Sequence, residues 1–271
     1  MSCSRYSESI IESSDTVCLT EEKYFLDLRK LSEKIKYVSS IFNSHKLVIV
    51  SDFIRSLNLS NNVITSLKDI NIGNNRSLIS LNLMNNAMTN FIIDKTLEKS
   101  LIKCQYINIS YNKITNLVVN LKNLTKLNVK GNCINDNIKI NCPNLVELCL
   151  NSNNLTEKFV EELRKPEFKK LKILDISSNN ISGNIDISFL SELIELNITN
   201  NKITNINLPP KLQKLYSSSN LFTELDISYL NLCHLFCNCK TLKKIKCKKD
   251  FNMISNTIKL DSHVEIIKIK N

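Results

Sequence analysis

A short pattern of apolar and polar positions recurs along most of the chain. Its first copies read RSLNLSNNVITSL (55–67), ISLNLMNNAMTNF (79–91) and QYINISYNKITNL (105–117), and they share the frame L-x-L-x-x-N-x-L/I. Nine copies align, spaced 19 to 26 residues apart. Their first apolar residues are Leu57, Leu81, Ile107, Leu127, Leu148, Leu174, Leu196, Leu215 and Leu235. The chain is therefore predicted to be a stack of about nine short repeats.

Each position of this frame has a structural explanation. The L-x-L pair predicts a short strand with both apolar side chains in the core and the middle residue facing outward. The asparagine follows where the chain turns off the strand, and each buried backbone group left without a partner there costs about 1–3 kcal/mol. An amide both donates and accepts hydrogen bonds. We therefore predict a structural ladder made of Asn62, Asn86, Asn112, Asn132, Asn153, Asn179, Asn201 and Asn220.

The middle residue of L-x-L forms a second, outward-facing column. Its members are Asn58, Asn82, Asn108, Asn128, Cys149, Asp175, Asn197, Tyr216 and Phe236. We expect its asparagines to be solvated, and the N-x-S/T sequences at three of them to be by-products of the repeat. Aromatic residues often dominate binding energy and indicate a partner site. The candidates, with their basic neighbours, are Tyr106, Tyr111, Lys214, Tyr216, His234 and Phe236.

The spacing of the repeats predicts the return segments. Spacings of 19–22 residues leave too few residues for a regular helix, so extended or 3₁₀ segments are expected. The two spacings of 26 residues allow helical turns in 93–104 and in 156–171. In the second segment, Thr156 is a suitable N-cap and Pro166 should end the helix.

The two ends of a repeat stack need caps, because a terminal repeat exposes a core edge. Residues 1–18 are predicted to be disordered, 19–45 to form a helical cap, 46–245 to be repeats and 246–271 to form a C-terminal cap. The helix is predicted over 21–42 from its apolar periodicity. A docking helix of F-box type is the alternative for that segment. Alternation over 257–270 predicts a strand that closes the sheet.

The repeated residues resemble the leucine-rich repeat family over roughly 50–245. That resemblance implies an α/β fold, a curved leucine-rich repeat solenoid with a parallel sheet on its concave face. Single repeats also resemble regulatory subunits of type-1 protein phosphatase, and this resemblance implies a regulatory subunit of a phosphatase-like enzyme as an alternative function. The abundance of Asn, Ile and Lys is similar to that of leucine-rich proteins from AT-rich genomes, including insect poxviruses, slime moulds and protozoa.

Composition argues against an enzyme. Only 3 glycines occur in the whole chain, whereas a P-loop or dinucleotide motif needs most of that number in one place. The 3 histidines lie outside any nucleophile motif. Cys233, Cys237, Cys239 and Cys247 are interpreted as core or unpaired thiols, with zinc binding or a disulfide as alternatives. We expect no catalytic residues, no metal and no cofactor.

The charge distribution and the lack of targeting signals limit the expected class of partner and the cellular location. The net charge is +10, and KTLKKIKCKK (240–249) holds six lysines. Without arginine or interleaved aromatics, that segment favours a solvated face over a polyanion site. The start has no secretory signal pattern, and no stretch is long and apolar enough for a membrane span. The prediction is a cytoplasmic, monomeric scaffold that binds a protein partner of unknown identity; nucleic-acid or polyanion binding is the alternative, and no membrane contact is expected.

Overall fold

The computed structural model describes residues 10–13, 16–19, 25–27, 46–49, 54–71, 76–249, 251 and 264–269. Contacts divide the chain into two compact units. The first contains residues 1–124 and 138–142, and the second contains residues 125–137 and 143–271. Each unit is built from the predicted repeats, and each is described by itself.

In the first unit, one strand of each repeat joins a parallel sheet. In spatial order these strands are Phe25–Asp27, Ser56–Asn58, Ser80–Asn82 and Tyr106–Asn108. Leu57 pairs with Leu81, and Leu81 with Ile107, so the predicted frame sets the register. All three are fully buried, which confirms that the first apolar position belongs to the core.

The return segments of the first unit are extended or helical, as the spacing predicts. One further sheet contains Asn90–Ile92, Asn116–Asn120 and Ile138–Asn141, and another contains Ile10–Ser13, Thr16–Leu19, Lys46–Ile49 and Ile70–Asn71. A 3₁₀ turn spans Leu67–Asp69. The helix Lys95–Ser100 begins at Asp94, whose carboxylate accepts hydrogen bonds from the backbone N–H groups of Thr96 and Leu97, both at 2.9 Å.

Two expectations for the N-terminal end need correction. Residues 10–13 and 16–19 form an antiparallel pair of strands, although 1–18 was predicted to be disordered; Ile and Val residues favour extended backbone. Phe25–Asp27 is a strand that pairs with Ser56–Asn58, so the helix predicted over 21–42 is wrong at these three residues. Pairing with the edge of the first repeat overrides the local helical periodicity. The rest of the predicted 19–45 cap, apart from these residues, lies outside the described part of the chain.

The second unit repeats the same arrangement over six strands. In spatial order they are Lys126–Asn128, Glu147–Cys149, Ile173–Asp175, Glu195–Asn197, Lys214–Tyr216 and His234–Phe236. Every neighbouring pair is parallel. The first apolar residue of each strand is at most 1% exposed, so these repeats share one continuous core.

Short elements return the chain between these strands. The strands Ser182–Asp186 and Lys202–Asn207 pair with each other, and Glu224–Asp226, Lys244–Lys248 and Glu265–Ile269 form a three-stranded parallel sheet. The helix Glu157–Glu162 has the predicted Thr156 cap, and Pro166 opens a 3₁₀ turn, Pro166–Phe168. Both α-helices of the described residues are six residues long, so strands dominate this α/β fold.

Two expectations at the C-terminal end also need correction. Lys244–Lys248 pairs with Glu224–Asp226 rather than with His234–Phe236. Cys247 is buried in this return-side sheet, in agreement with its interpretation as a core thiol. Glu265–Ile269 joins the same return-side sheet, instead of closing the sheet of repeat strands. The strand Lys244–Lys248 crosses the boundary expected between 245 and 246, while 257–263 lie outside the described residues.

A left-handed turn follows the repeat strands. The residue before each ladder asparagine has a positive φ between 53° and 64°, and these residues are Asn61, Asn85, Tyr111, Gly131, Ser152, Ser178, Asn200 and Ser219. This conformation is costly for most side chains, and least so for Gly and Asn. The turn brings the next residue, the ladder asparagine, beneath the strand.

The asparagine ladder forms as predicted. Asn179 shows the pattern: its Nδ2 donates to the carbonyl oxygens of Leu150 at 3.1 Å and Ile176 at 3.0 Å, and its Oδ1 accepts from the backbone N–H of Leu155 at 3.0 Å. Leu150 and Leu155 belong to the preceding repeat. All eight ladder residues are at most 9% exposed. Each such amide therefore satisfies buried backbone groups that would otherwise lack partners.

Candidate partner-binding face

Most polar side chains of the outward column form hydrogen bonds with the turn that follows their strand. Asn108 Oδ1 accepts from the backbone N–H and the hydroxyl of Ser110, at 3.1 and 2.7 Å. Asp175 does the same with Ser177, at 3.0 and 2.7 Å. The same backbone bond is made by Asn58, Asn82, Asn128 and Asn197. The expectation that these asparagines are merely solvated is wrong, because each fixes its own turn.

Two aromatic rings replace that polar pattern at the last two repeat strands. Tyr216 and Phe236 occupy paired positions of Lys214–Tyr216 and His234–Phe236. Their ring centroids are 5.2 Å apart with an interplanar angle of 13°, a stacked arrangement. Both side chains are only half-buried. An aromatic ring cannot accept the turn hydrogen bond that Asn accepts, so these residues give the face an apolar surface instead.

The basic residues flanking the rings differ in their contacts. Lys214 Nζ lies 3.0 Å from Glu195 Oε2, and this carboxylate raises the pKa of the lysine. His234 pairs in register with Lys214 and is exposed. Of the six sequence candidates, the structure brings Lys214, Tyr216, His234 and Phe236 together at one end of the sheet in the second unit.

The other two candidates, Tyr106 and Tyr111, belong to the first unit. Tyr106 is half-buried at the start of its strand. Tyr111 is 47% exposed and holds φ at 55°, a conformation that is unusual for a bulky residue. Its place in the left-handed turn gives it a structural role that the sequence pattern did not reveal.

A groove adjoins the aromatic pair in the second unit. It has a volume of about 610 Å³ and is lined by residues 218–221, 236–238, 240 and 241. We call it the terminal groove. Leu221, which is 45% exposed, and Lys240 line it, and sequence reasoning missed both. Their signal was weak: Leu221 follows a ladder asparagine, where Lys113, Asn154 and Lys202 stand in other repeats.

Burial and hydrogen bonding govern the thiols of the second unit at Cys149, Cys237 and Cys239. Burial, followed by the charges of Asp175 and Glu147, raises the pKa of Cys149 to about 12, so this thiol stays protonated. A hydrogen bond between Cys237 and Cys239 raises the pKa of Cys237 and lowers that of Cys239. Cys239 is 2% exposed, which shields it from reagents and substrates.

Among the described residues, no group of three or more His, Cys, Asp or Glu side chains could hold a metal ion. The outward acids are engaged: Glu147 lies 2.9 Å from Lys126 Nζ, Glu195 pairs with Lys214, and Asp175 accepts from Ser177. These carboxylates stabilise local structure and form no acid–base pair.

The lysine-rich segment lies mainly on the return side. Lys244 and Lys246 stand 3.9 and 4.0 Å from the carboxylate of Glu224. Lys248 donates a hydrogen bond to Asn231. Ile245 and Cys247, between them, are buried. The alternation of lysine with apolar residues is therefore that of a strand with one solvated side.

Among the described residues, no helix is both long and apolar enough to cross a bilayer.

Comparisons with known proteins agree with this repeat architecture. The family pattern described as Leucine Rich Repeat matches residues 170–191. Receptor-like protein 54 of Arabidopsis thaliana is 29% identical over 186 residues, which cover 65% of this chain and 22% of that protein. The chain thus spans about a fifth of the length of the curated relatives it matches.

Solved structures share the fold at low sequence identity. A plant peptide hormone receptor, RGFR1 in complex with RGF2, is 19% identical with a TM-score of 0.52, covering 86% of this chain and 45% of the receptor. The TLR13–ssRNA13 complex is 20% identical with a TM-score of 0.55, covering 87% of this chain and 38% of that one. At such identities the likeness concerns the fold alone.

Proposed function

We propose that this chain is a non-catalytic leucine-rich repeat scaffold that binds a protein partner on the outward face of its repeat strands. The stacked, half-exposed Tyr216–Phe236 pair carries this proposal. Elsewhere in the second unit that column is occupied by Asn, Asp and Cys. Exposed aromatic surface favours association, and aromatic anchors supply much of the binding energy at protein interfaces.

Charge supports a protein partner over a polyanion. Lys214 is neutralised by Glu195 at 3.0 Å, and Lys126 lies 2.9 Å from Glu147. A nucleic-acid site would present several cations for the phosphates along one face. RNA binding is the second candidate, because the segment 240–249 holds six lysines; the TLR13 structure, which is similar in fold, was solved with ssRNA. The lysine-rich return-side strand is where we would expect it.

The thiols support a reducing compartment. The described part of the chain contains eight cysteines, none of them in a disulfide. Two, Cys133 and Cys233, are exposed, and such thiols persist best in cytoplasm-like conditions. We therefore propose a cytoplasmic location and a monomeric state. Purified protein should remain reduced and elute as a monomer in size-exclusion chromatography with light scattering.

Partner capture with defined variants tests the proposal. The tagged chain captures proteins from nuclease-treated lysate, mass spectrometry identifies them, and a purified partner is then titrated against the variants. Tyr216→Ala with Phe236→Ala should weaken binding by about 2 kcal/mol or more. Ile92→Ala with Ile102→Ala is the matched control, because both residues are exposed and apolar but lie away from this face.

The outcomes separate the two functions. Full affinity in the aromatic double variant, with an unchanged circular dichroism spectrum, would place the site elsewhere. Binding that disappears with nuclease or with moderate salt would favour the RNA candidate, since phosphate contacts weaken steeply with salt.

A further inference from the structure

The terminal groove continues the aromatic surface in the second unit. Phe236 stacks on Tyr216 and also lines the groove, whereas Tyr216 does not. Phe236 is therefore shared by the stacked pair and the groove. Leu221, 45% exposed, lines it as well. A planar side chain inserted there would pack against Phe236 and Leu221.

The only charge on the lining of the groove is positive. Of the residues that line it, Lys240 carries the only charge. Lys240 is exposed, and its ammonium group forms no ion pair within the described chain, in contrast to Lys214, which pairs with Glu195. His234, of the same repeat, is also exposed. An acidic group on the ligand would complement this edge.

The size of the groove suits a short peptide. Its volume of about 610 Å³ is within the range of small-ligand sites and exceeds that of one aromatic side chain. Ser219 and Asn238, both exposed, add polar groups that could bond to a peptide backbone. A nucleic-acid strand would stack a base equally well, but a single lysine offers little to its successive phosphates.

We infer that the terminal groove binds a short segment of a protein partner in which an aromatic residue is adjacent to Asp or Glu. The aromatic side chain stacks against Phe236 beside Leu221, and the carboxylate pairs with Lys240. This inference rests on the proposed scaffold function and specifies the chemistry of its partner.

Selection from a random peptide library tests this specificity without knowledge of the partner. A phage library of 12-residue peptides is panned on the full chain and, in parallel, on Lys240→Glu. The wild-type chain should enrich peptides with an aromatic residue next to Asp or Glu. Lys240→Glu should instead enrich an aromatic residue next to Lys or Arg, because the charge at the groove edge is reversed.

A selected peptide is then synthesised and its affinity measured by fluorescence polarisation. Phe236→Asn, which installs the residue common at this column position, and Lys240→Glu should each weaken binding about tenfold or more. Lys158→Glu, an exposed lysine on the helix Glu157–Glu162, should change it less than about twofold. Circular dichroism verifies that each variant is folded.

Several results would overturn the inference. One is the enrichment of peptides without an aromatic–acid pair, and another is equal binding of the peptide to wild type and both groove variants. Displacement of the peptide by a 12-nucleotide poly-U strand, itself sensitive to Lys240→Glu, would assign the groove to RNA. If the peptide result fails while partner capture still depends on Tyr216 and Phe236, only this inference falls. Failure of both removes the proposed function as well.

Discussion

Two columns of asparagine run through the repeats, and they bind the backbone in different ways. The ladder asparagines are buried and join adjacent repeats, as Asn179 joins its own turn to Leu150 and Leu155. The outward asparagines are mostly half-buried and bond within their own repeat, as Asn197 accepts from the backbone N–H of Thr199 at 3.1 Å. The first column holds the stack together, and the second shapes single turns.

This difference explains where the chain can vary. Replacing a ladder residue leaves buried groups of two repeats without partners. Replacing an outward residue affects one turn, which water can reach. In the first eight repeats the outward column accordingly contains Cys149, Asp175 and Tyr216, whereas all eight ladder positions from Asn62 to Asn220 are asparagine. Variation in the outward column can create a binding surface at little cost to the fold.

The largest expected effect is loss of a ladder amide. Asn179→Ala should lower the free energy of unfolding by about 1–3 kcal/mol, because several buried backbone groups lose their partner. The measurement is urea denaturation followed by circular dichroism. Asn180→Ala is the control: it is the next residue, of the same type, and it is exposed. Equal losses for the two variants would contradict the assignment of the ladder.

A smaller loss is expected in the outward column. Asn197→Ala should cost about 0.5–1.5 kcal/mol, because one neutral hydrogen bond at a half-buried site disappears. Asn197→Asp keeps the acceptor oxygen, as Asp175 does naturally at the same position, and should be closer to wild type. If Asn197→Ala destabilises as strongly as Asn179→Ala, the two columns do not differ as we argue.

Most of the repeat architecture was predictable from the sequence, because the same frame of apolar residues and asparagine recurs in every repeat. The pairing of Leu57 with Leu81 follows from the frame alone. The strand Glu265–Ile269 was expected to close the sheet of repeat strands but joins the return-side sheet, because apolar alternation has the same form in either sheet. The segment Phe25–Asp27 does not contain the repeat frame. Its strand conformation is evident only from its pairing with Ser56–Asn58 of the first repeat.

The binding site was only partly predictable. Stacking of Tyr216 on Phe236 follows from shared column positions and parallel pairing. The turn bonds of the outward asparagines had a signal in the N-x-S/T sequences, since Ser60 and Ser110 hydroxyls donate to Asn58 and Asn108. The terminal groove had no comparable signal, because its walls come from turns whose geometry the repeat frame does not specify.

A modest gain in stability is expected in the left-handed turn. Tyr111→Asn should raise the free energy of unfolding by about 0.5–1 kcal/mol, because Asn tolerates a positive φ better than Tyr does. Asn61, Asn85 and Asn200 already occupy this position in other repeats. Ser178→Asn, at the same turn position, is a control with a smaller expected change. A loss of stability would show that the Tyr111 side chain supplies contacts that outweigh its backbone strain.

The smallest expected effect tests electrostatic coupling between outward side chains of adjacent repeats. Cys149 and Asp175 occupy paired outward positions, and after burial the charge of Asp175 is the main cause that raises the pKa of Cys149 to about 12. Asp175→Asn keeps the acceptor for Ser177 but removes the charge, so the thiolate fraction of Cys149 should increase. Alkylation by iodoacetamide at pH 8, followed by mass spectrometry of the Cys149 peptide, should be about two- to threefold faster. Asp226→Asn, a carboxylate of the return-side sheet that also bonds to a serine, should leave the rate unchanged. An unchanged rate in Asp175→Asn would mean that the charge of Asp175 does not contribute to the pKa of Cys149, and that this outward pair is not electrostatically coupled.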